Sequence, residues 1–298
     1  MAKILECVPN FSEGIDKSVV EKILDPIRET EGVKLLDYSS DKDHNRSVVT
    51  FLGAPDAVID AAFKACKVAS ELIDMRKHKG GHPRMGATDV MPLIPIKDIT
   101  VEEAVEYSKK LGERIGNELK IPVFLYEKSA SAPHRENLAD IRRGQYEGMA
   151  EKMKEAEWKP DYCSENFNEK SGAVAVGARM PLVAYNINLN TKDVEIAKAI
   201  AKTIRAKTGG FTYCKAMGLE IEEKGITQVS MNLTDYTKTG VMRVFEAVKR
   251  EAARYGVNVI ESEIIGLVPM GAIADVAEYY LQLSGFDISQ ILESRMME

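Results

Sequence analysis

Apolar and polar residues alternate along this chain in two similar series of predicted strands and helices. Runs with apolar side chains at every second position predict strands, and longer runs with apolar side chains three and four residues apart predict helices. In the first half the predicted elements are, in order, strand 3–9, helix 16–30, strand 33–38, strand 46–52, helix 55–73 and strand 88–96. This order is typical of a split βαβ sandwich, in which helices cover an antiparallel sheet.

The same order returns in the second half. The predicted elements there are strand 181–189, a helix from a cap at Asn190 or Thr191 to 206, strand 217–223, strand 226–233, helix 239–255, strand 257–265 and helix 271–282. Between the halves, a linking region carries helix 101–118, strand 121–126 and the short helices 136–143 and 145–156. We therefore expect an α+β fold of two ferredoxin-like (split βαβ) sandwich subdomains with antiparallel-rich sheets.

Composition narrows the class of protein. The 298 residues are 45% hydrophobic and 29% charged, which is usual for a globular protein of one large or two ordinary domains. The net charge of -6 argues against nonspecific binding to nucleic acid, which needs a basic surface. No apolar run approaches the roughly 20 residues of a membrane-spanning helix, and Glu6 and Pro9 interrupt the apolar start. The four cysteines are far apart and form no zinc-binding pattern, so we expect reduced thiols in a cytoplasmic protein.

Two of the four histidines fall in the stretch "HKGGHPRMGATDVMPLIPI", residues 78–96. They belong to a connection, residues 74–87, that we call the histidine loop. Imidazole can accept and return a proton near neutral pH, and the flanking glycines and basic residues suit the approach of an anionic ligand. A functional loop and an ordinary helix C-terminus explain these residues about equally well. We expect His78 to interact with the helix dipole and His82 to be the candidate base.

Three further polar stretches each have a functional and a structural interpretation. In "DKDHNRS", Arg46 opens a strand and could hold a carboxylate, but a solvated turn explains the stretch better. In "VPNFSEG", Ser12 stands where exposed amides favour an anion, but helix capping explains it better. Asn186 and Asn188 share one face of a strand, as one wall of a binding cleft or as a solvated sheet face.

One long segment, residues 159–179, has little periodicity. Such segments inside compact domains are usually functional or disordered, and the strand-like residues 171–178 at its end favour function. The chain carries no phosphate loop, no GxGxxG and no GxSxG, so nucleotide hydrolysis and serine nucleophilic catalysis lack support.

Several longer motifs together resemble the formiminotransferase family: "CVPNFSEG", "DHNRSVVTFLG", "HPRMGATDVMPLIP", "GARMPLVAYNINL" and "VSMNLTDY". The resemblance covers essentially the whole chain, in order and with the spacing of the family. It implies an N-terminal subdomain over 1–178 and a C-terminal subdomain over 179–298. Some relatives carry a fused cyclodeaminase, and the end of this chain at Glu298 implies that this second activity is absent here.

The resemblance implies an enzyme that transfers a formimino group from N-formimino-L-glutamate to N5 of tetrahydrofolate. The products are 5-formiminotetrahydrofolate and L-glutamate, as in histidine degradation. Tetrahydrofolate is then a co-substrate, and no metal is expected because no oxyanion forms. The implied partners are these small molecules and a second copy of the chain in a homodimer, with no nucleic acid and no membrane.

The resemblance also assigns roles to residues. The family's catalytic histidine falls on His82, in the motif "HPRMGATD". Four basic residues are candidates for holding substrate carboxylates: Arg46, Arg84, Arg179 and Lys215. The folate-binding segment maps onto Cys163, Ser164, Glu165, Asn166, Phe167, Asn168, Glu169, Lys170, Ser171 and Gly172.

Within this segment the sequence departs from the family pattern. Family members resemble "PDFGP" followed by "HP", whereas this chain reads "PDYCSENFNEKSGAVAVGAR", with Asn168 and Glu169 at or near the His-Pro position. Two alternatives therefore stay open. One is a related folate-dependent transferase with another donor, such as formyl-glutamate or formimino-glycine. The other is a non-catalytic folate-binding protein, which the retention of His82 disfavours.

Overall fold

The computed structural model describes residues 3–163 and 166–296, so Ser164 and Glu165 of the expected folate-binding segment lie outside the described residues. The chain separates into two compact units, Met1–Arg179 and Met180–Glu298. Within the described ranges, no helix combines the length and the apolar character that crossing a bilayer would require.

The first unit contains seven strands and five α-helices among its described residues. They are β1 (Ile4–Cys7), β2 (Asn10–Phe11), α1 (Lys17–Glu29), β3 (Val33–Asp41), β4 (Arg46–Gly53), α2 (Pro55–Leu72), β5 (Thr88–Lys97), α3 (Val101–Arg114), β6 (Val123–Leu125), α4 (Leu138–Ile141), α5 (Gln145–Lys152) and β7 (Val174–Ala178). Helix α1 begins where Asp16 accepts a hydrogen bond from the Ser18 amide, so the expected capping by Ser12 was wrong; the Ser12 hydroxyl donates to the carbonyl of Gly86. Helix α3 begins with a capping box of Thr100 and Glu103 and continues into a π-helical turn, Ile115–Leu119.

The sheet of the first unit has the ferredoxin-like strand order with an extension. β1 and β2 share one strand position between β4 and β5, and β3 pairs with β4 at one edge, all antiparallel. β7 and β6 extend the sheet beyond β5 in parallel orientation. The first-half prediction is therefore confirmed, and the linking region adds strands to the same sheet.

Both faces of this sheet are covered. One face packs on α1, α2 and α3 around a core that includes Leu5, Leu24 and Phe51. The other face packs on α4 and α5 around Phe124 and Met149. Because β5 is buried on both sides, its sequence is nearly continuously apolar instead of alternating.

The second unit has the same basic order without the extension. Its elements are β8 (Val183–Leu189), α6 (Val194–Ile204), β9 (Cys214–Ile221), β10 (Ile226–Leu233), α7 (Val241–Arg254), β11 (Val259–Ile265), α8 (Met270–Leu281) and α9 (Leu292–Met296). The sheet runs β11-β8-β10-β9 and is antiparallel throughout, which confirms the predicted fold class.

Two predicted boundaries in this unit were wrong. Helix α6 is capped by Asp193, which accepts from the Glu195 amide at 3.0 Å, and not by Asn190 or Thr191. The side chain of Asn190 instead accepts a hydrogen bond from the amide of Asn258. Strand β9 starts three residues earlier than 217, because its pairing with β10 continues to Cys214.

Asn186 and Asn188 do share a sheet face, and their amides are bound by neighbouring side chains. Asn186 donates to Glu263 at 3.1 Å and Asn188 donates to Glu261 at 2.8 Å. Gln228 on β10 donates to the side-chain oxygen of Asn188 at 2.9 Å. The predicted polar stripe is thus a ladder of amides and carboxylates across three strands.

The close approach of α6 to β9 gives a test of the second unit. A Cβ at Gly218 would lie 2.3 Å from the backbone nitrogen of Lys198, which a helix cannot move aside cheaply. We expect Gly218→Ala to lower the free energy of unfolding by about 1–3 kcal/mol, the usual cost of overpacking. Urea unfolding followed by circular dichroism measures this loss.

The control for this substitution is Gly148→Ala in α5, where a Cβ would meet no atom within 4 Å. Alanine favours a helix interior, so this variant should be unchanged or more stable by up to about 1 kcal/mol. A Gly218→Ala protein with the urea midpoint of wild type would contradict the packing described for α6.

Candidate functional site

The histidine loop lies against the turn between β3 and β4, and Asn45 joins them. The backbone of Asn45 is left-handed, with φ of 48°, and the residue is buried. Its side-chain oxygen accepts from the Gly14 amide at 2.9 Å, and its side-chain nitrogen donates to the carbonyl of Lys79 at 2.8 Å. Three stretches that are separate in sequence, "VPNFSEG", "DKDHNRS" and the histidine loop, therefore meet at one residue.

His78 is part of this junction and not of a helix. Helix α2 ends at Leu72, so the expectation that His78 interacts with the helix dipole was wrong. One ring nitrogen, Nε2, lies 3.0 Å from the carbonyl oxygen of Asn45, and the other accepts a hydrogen bond from Nε of Arg84 at 3.3 Å. These partners assign the neutral tautomer with the proton on Nε2. Burial lowers the pKa of His78, which agrees with a neutral ring.

Arg84 is engaged through all of its guanidinium nitrogens. Glu147 accepts two hydrogen bonds from it, at 2.6 and 2.8 Å, and Gln145 accepts a third at 3.1 Å. The Arg84 carbonyl also accepts from the amide of Tyr146 at 2.8 Å. Residues 142–147, which include the turn after α4 and the first turn of α5 and which we call the 142–147 turn, thus hold Arg84 in place. A substrate carboxylate would have to displace Glu147 to bind this guanidinium.

The end of the histidine loop is fixed by Asp89. This carboxylate is buried, and one of its oxygens accepts a hydrogen bond from the amide of Met85 at 3.0 Å. Its other oxygen forms an ion pair with a terminal nitrogen of Arg142. Asp89 therefore connects the loop to the 142–147 turn and fixes the position of Arg142.

His82 lies between these anchored residues and is free of them. It is partly buried, and no hydrogen bond joins its ring to another residue in the described ranges. Burial, followed by the positive charges of Arg46 and Arg142 and then by His44 and Arg84, lowers the pKa of His82 to about 3. The ring is therefore neutral at pH 7 and can accept a proton. It is a weak base for as long as the surrounding positive charge is uncompensated.

Arg46 is the unpaired cation beside His82. It begins β4, and among residues 3–163 and 166–296 no hydrogen bond or ion pair joins its guanidinium to another side chain or carbonyl. Its Nε atom is buried without a partner in this part of the chain. Burial and then the charge of Arg142 lower the pKa of Arg46. The charges of Asp41 and Asp89 act in the opposite direction, but neither carboxylate forms an ion pair with Arg46 in the described residues, so this partly buried cation favours a bound anion.

The expected folate-binding segment packs against the histidine loop through its backbone. The carbonyl of Ser171 accepts from the Ala87 amide at 2.8 Å. Gly172, with φ of 71°, lies so close to the loop that a Cβ would be 2.2 Å from the carbonyl oxygen of Met85. The structure therefore brings the end of this segment, which sequence places some ninety residues away, next to the motif of His82.

The middle of the segment contacts the 142–147 turn. The hydroxyl of Tyr146 donates to the carbonyl of Glu169 at 2.5 Å, and its ring lies 5.6 Å from that of Phe167. Asn168 accepts from the Ser171 amide at 2.9 Å, which closes a turn. The remaining described members are Cys163, with φ of 55°, the exposed Asn166, and Lys170, whose ammonium donates to the carbonyl of Glu71 at 2.6 Å.

Two of the four carboxylate candidates lie away from His82 or in the other unit. The Arg179 amide donates to the carbonyl of Leu93, five residues beyond the start of β5 at Thr88. At about 3.3 Å per residue, this places Arg179 roughly 17 Å along the strand from the histidine loop. Lys215 lies on β9 of the second unit and is exposed. Of the four candidates, Arg46 and Arg84 are the two whose charges act on His82.

Sequence reasoning missed Arg142, Asp89 and Tyr146. Arg142 and Asp89 are 53 residues apart, and only the folded chain shows that they pair. One signal was present, because Gly144, with φ of 90°, marks a tight turn in the polar stretch "RRGQYE". A turn rich in Arg, Gln, Tyr and Glu between two helices is a candidate for binding or for holding other binding residues.

The electrostatics of the site predict how His82 titrates. Because its pKa is lowered to about 3, His82 should stay neutral from pH 8 down to pH 5, where a free histidine becomes protonated. Carbon-13 and proton NMR of histidine-labelled protein would follow all four rings, with His82→Gln to assign the signal. A His82 signal that titrates near pH 6.5 would contradict the charge arrangement described here.

Comparison with known proteins agrees with this arrangement of two units. Residues 4–179 match the family model described as the formiminotransferase domain, N-terminal subdomain, and residues 184–295 match the model described as the formiminotransferase domain.

Full-length relatives share high identity with this chain. A protein named glutamate formimidoyltransferase from Streptococcus pyogenes serotype M1 is 55% identical over 298 residues, which is 100% of both chains. A protein of the same name from Thermoplasma acidophilum is 50% identical over 98% of this chain and 97% of its own length. Formimidoyltransferase-cyclodeaminase from Dictyostelium discoideum is 45% identical over 99% of this chain and 56% of its own length. This chain belongs to the formiminotransferase family.

Proposed function

We propose that this protein transfers the formimino group of N-formimino-L-glutamate to N5 of tetrahydrofolate, releasing L-glutamate. The observation that carries the proposal is His82, a neutral imidazole with no hydrogen bond to another described residue, placed among cationic side chains in a chain of this family. A partly buried ring with no hydrogen-bond partner among the described residues is available to a substrate. The surrounding positive charge suits substrates that both carry carboxylates.

His82 can carry the proton that the reaction has to move. The N5 amine attacks the formimino carbon, and the tetrahedral intermediate then holds an extra proton on N5. The glutamate nitrogen leaves only after it gains a proton. One neutral imidazole can take the first proton and deliver the second, so no net charge is left on the enzyme. The chain's further contribution is to hold the two substrates in contact, which removes much of the entropic barrier.

The positive charge around His82 becomes useful only when substrate is bound. In the free site, the pKa of about 3 makes His82 too weak a base for efficient transfer near neutral pH. A substrate carboxylate beside Arg46 would neutralise the strongest of these charges and raise the pKa of His82. Binding and proton transfer are then coupled through charge, and the base gains strength when its substrate is in place.

We propose that Cys163–Gly172 contributes to binding the folate, with Tyr146 holding the middle of the segment. Arg46 is the best supported carboxylate-binding residue, because Arg84 is engaged by Glu147 and Arg179 lies at another point of the sheet. Lys215 remains a proposal for the folate's glutamate tail. The chemistry needs no metal, since the leaving group is an amine that protonation makes competent.

The wider setting is also part of the proposal. We propose a cytoplasmic homodimer that acts on small molecules in histidine degradation, without nucleic acid or membrane as partners. The negative net charge and the lack of an apolar spanning segment in the sequence support the last two points. The departure from the family pattern at Asn168 and Glu169 makes the identity of the donor the point to test first.

A donor panel tests the proposed reaction. Purified protein is incubated with tetrahydrofolate and, separately, with formimino-glutamate, formyl-glutamate or formimino-glycine. With formimino-glutamate, we expect the absorbance of the folate to change and free glutamate to be released. The amount of glutamate released should equal the amount of folate converted. Transfer from another donor alone would replace the proposed substrate, and folate binding without transfer from any donor would leave a non-catalytic binding protein.

The role of His82 has its own test. His82→Gln removes the proton carrier but keeps a polar side chain of similar size, so turnover should fall by roughly 10²–10⁴-fold while folate binding largely survives. Steady-state kinetics and folate binding by fluorescence give the two readouts. The matched control is His134→Gln, an exposed histidine outside the histidine loop, which should retain wild-type turnover. Equal turnover in both variants would remove His82 from the mechanism.

A further inference from the structure

Two arginines beside His82 differ in what they are bound to. Arg46 has no partner for its guanidinium among the described residues, whereas Arg142 is fixed by the buried carboxylate of Asp89. The Nε atoms of both residues are buried and without a hydrogen-bond partner in the described part of the chain. Two buried donors left unsatisfied at one place indicate a missing acceptor.

Strand register places Arg46 near the ion pair of Arg142, because Phe11 of β2 pairs with Ser47 on one side and with Thr88 on the other, and Asp89 follows Thr88. The charge of Arg142 lowers the pKa of Arg46, and the charges of both lower the pKa of His82. Like charges repel, so carboxylates near the two partly buried guanidinium groups stabilise them, and the charges of Asp41 and Asp89 do act on Arg46. Asp89 compensates Arg142, but no described carboxylate forms an ion pair with Arg46.

We propose that Arg46 and Arg142 together bind one substrate carboxylate beside His82, with Arg46 supplying free donors and Arg142 a donor whose position Asp89 sets. This inference rests on the proposed function, since it assigns the carboxylate to a substrate of that reaction. It adds Arg142 as a binding residue and Asp89 as a positioning residue. It also excludes Arg84 from the pair, because Glu147 already occupies that guanidinium.

The contacts of Arg142 fix the position of its guanidinium. Its backbone amide donates to the Leu138 carbonyl at 2.9 Å, so its α-carbon is fixed at the end of α4. The ammonium of Lys152 donates to the carbonyls of Asp140 and Ile141, at 2.6 and 2.7 Å, and so caps the same helix end. Asp89 then fixes the other end of the side chain. An arginine side chain that is fixed both at its α-carbon and at its guanidinium loses little conformational entropy when it binds an anion.

Charge compensation gives the proposal a consequence that can be measured at His82. The charged groups that act most strongly on this ring are Arg46, Arg142, His44 and Arg84. Of these, Arg84 is paired with Glu147, and His44 is exposed and lies 2.9 Å from Asp41. Arg142 is paired with Asp89, so a carboxylate beside Arg46 and Arg142 chiefly compensates Arg46, and protonation of His82 becomes easier.

The test uses the full-length protein with glutarate, a dicarboxylate without the reacting group, as probe. In wild type, saturating glutarate should move the titration of the His82 NMR signal to higher pH by at least about one unit. Arg46→Gln should bind glutarate roughly 10- to 100-fold more weakly, since it loses charge-assisted hydrogen bonds. Arg142→Lys keeps a positive charge for Asp89, and so the fold, but loses the planar donors and should bind about tenfold more weakly.

The matched control is Arg143→Gln. Arg143 is the next residue along the chain, its side chain is 79% exposed, and it pairs with Asp140 at the surface. It should bind glutarate and shift the His82 signal as wild type does. Thermal unfolding of every variant shows whether the fold is kept. Unchanged glutarate binding in both Arg46→Gln and Arg142→Lys would overturn the proposal, as would binding that leaves the His82 signal in place.

Kinetics identify which substrate supplies the carboxylate. If it belongs to the formimino donor, both variants raise the KM for the donor and leave the KM for tetrahydrofolate unchanged. If it belongs to the folate tail, the KM for tetrahydrofolate rises instead. Tetrahydropteroate lacks that tail, so its KM should then be the same in the variants as in wild type. No change in either KM would overturn the proposal. A wild-type protein that transfers no group would reject the proposed function, while the glutarate titration still tests the anion site.

Discussion

The arrangement around His82 depends on the hydrogen bonds of one buried side chain, Asn45. Its side-chain oxygen binds Gly14, while its side-chain nitrogen and its backbone carbonyl oxygen bind Lys79 and His78 of the histidine loop. Asparagine suits the position because it tolerates the left-handed backbone of this turn and offers both a donor and an acceptor. Met75 and Met85 anchor the two ends of the histidine loop in apolar cores, so these bonds hold its middle, which is rich in glycine and charge.

A chain of hydrogen bonds runs from Asn45 through the histidine loop to the 142–147 turn. The carbonyl of Asn45 sets the tautomer of His78, and the other nitrogen of His78 orients Arg84. Arg84 binds the 142–147 turn, which presents Arg142 to the site. Asn45, His78 and Arg84 have their hydrogen-bond partners inside the protein, whereas within residues 3–163 and 166–296 no hydrogen bond reaches the side chains of His82 and Arg46. The site thus combines a fixed frame with two groups that are available to a ligand.

Much of the fold could be predicted from sequence, because strand alternation and helical spacing are local properties. β8, for example, follows from "PLVAYNINL" alone. The start of α6 was missed because three neighbouring polar residues can all cap a helix, and the competing bond from Asn190 to Asn258 is set by tertiary structure. His78 was misread for a related reason, since loop glycines after a long helix resemble a C-terminal cap even when the helix ends at Leu72.

The residues of the candidate site also fall into two groups, those that local sequence could predict and those that required the folded structure. His82 and Arg46 could be proposed from residue chemistry and family resemblance, because their motifs are contiguous. Arg142 could not be proposed from sequence. Its role depends on an ion pair with Asp89 and on the effect of its charge on Arg46, and both require the folded chain. Sequence also could not predict which of Arg46 and Arg84 is available to a ligand. That depends on Glu147, which binds Arg84 and lies 63 residues from it in the chain.

The contact of Gly172 with Met85 and Gly86 bears on how this enzyme family can diversify. The two backbones touch where neither tolerates a side chain, so the end of the 163–172 segment and the end of the histidine loop form one rigid joint. An insertion or deletion on either side of that joint would displace His82 as well as the ligand-binding segment. Exchange of substrate preference between relatives should therefore succeed when both stretches are grafted as a pair, with changes in length confined to the part before Asn168.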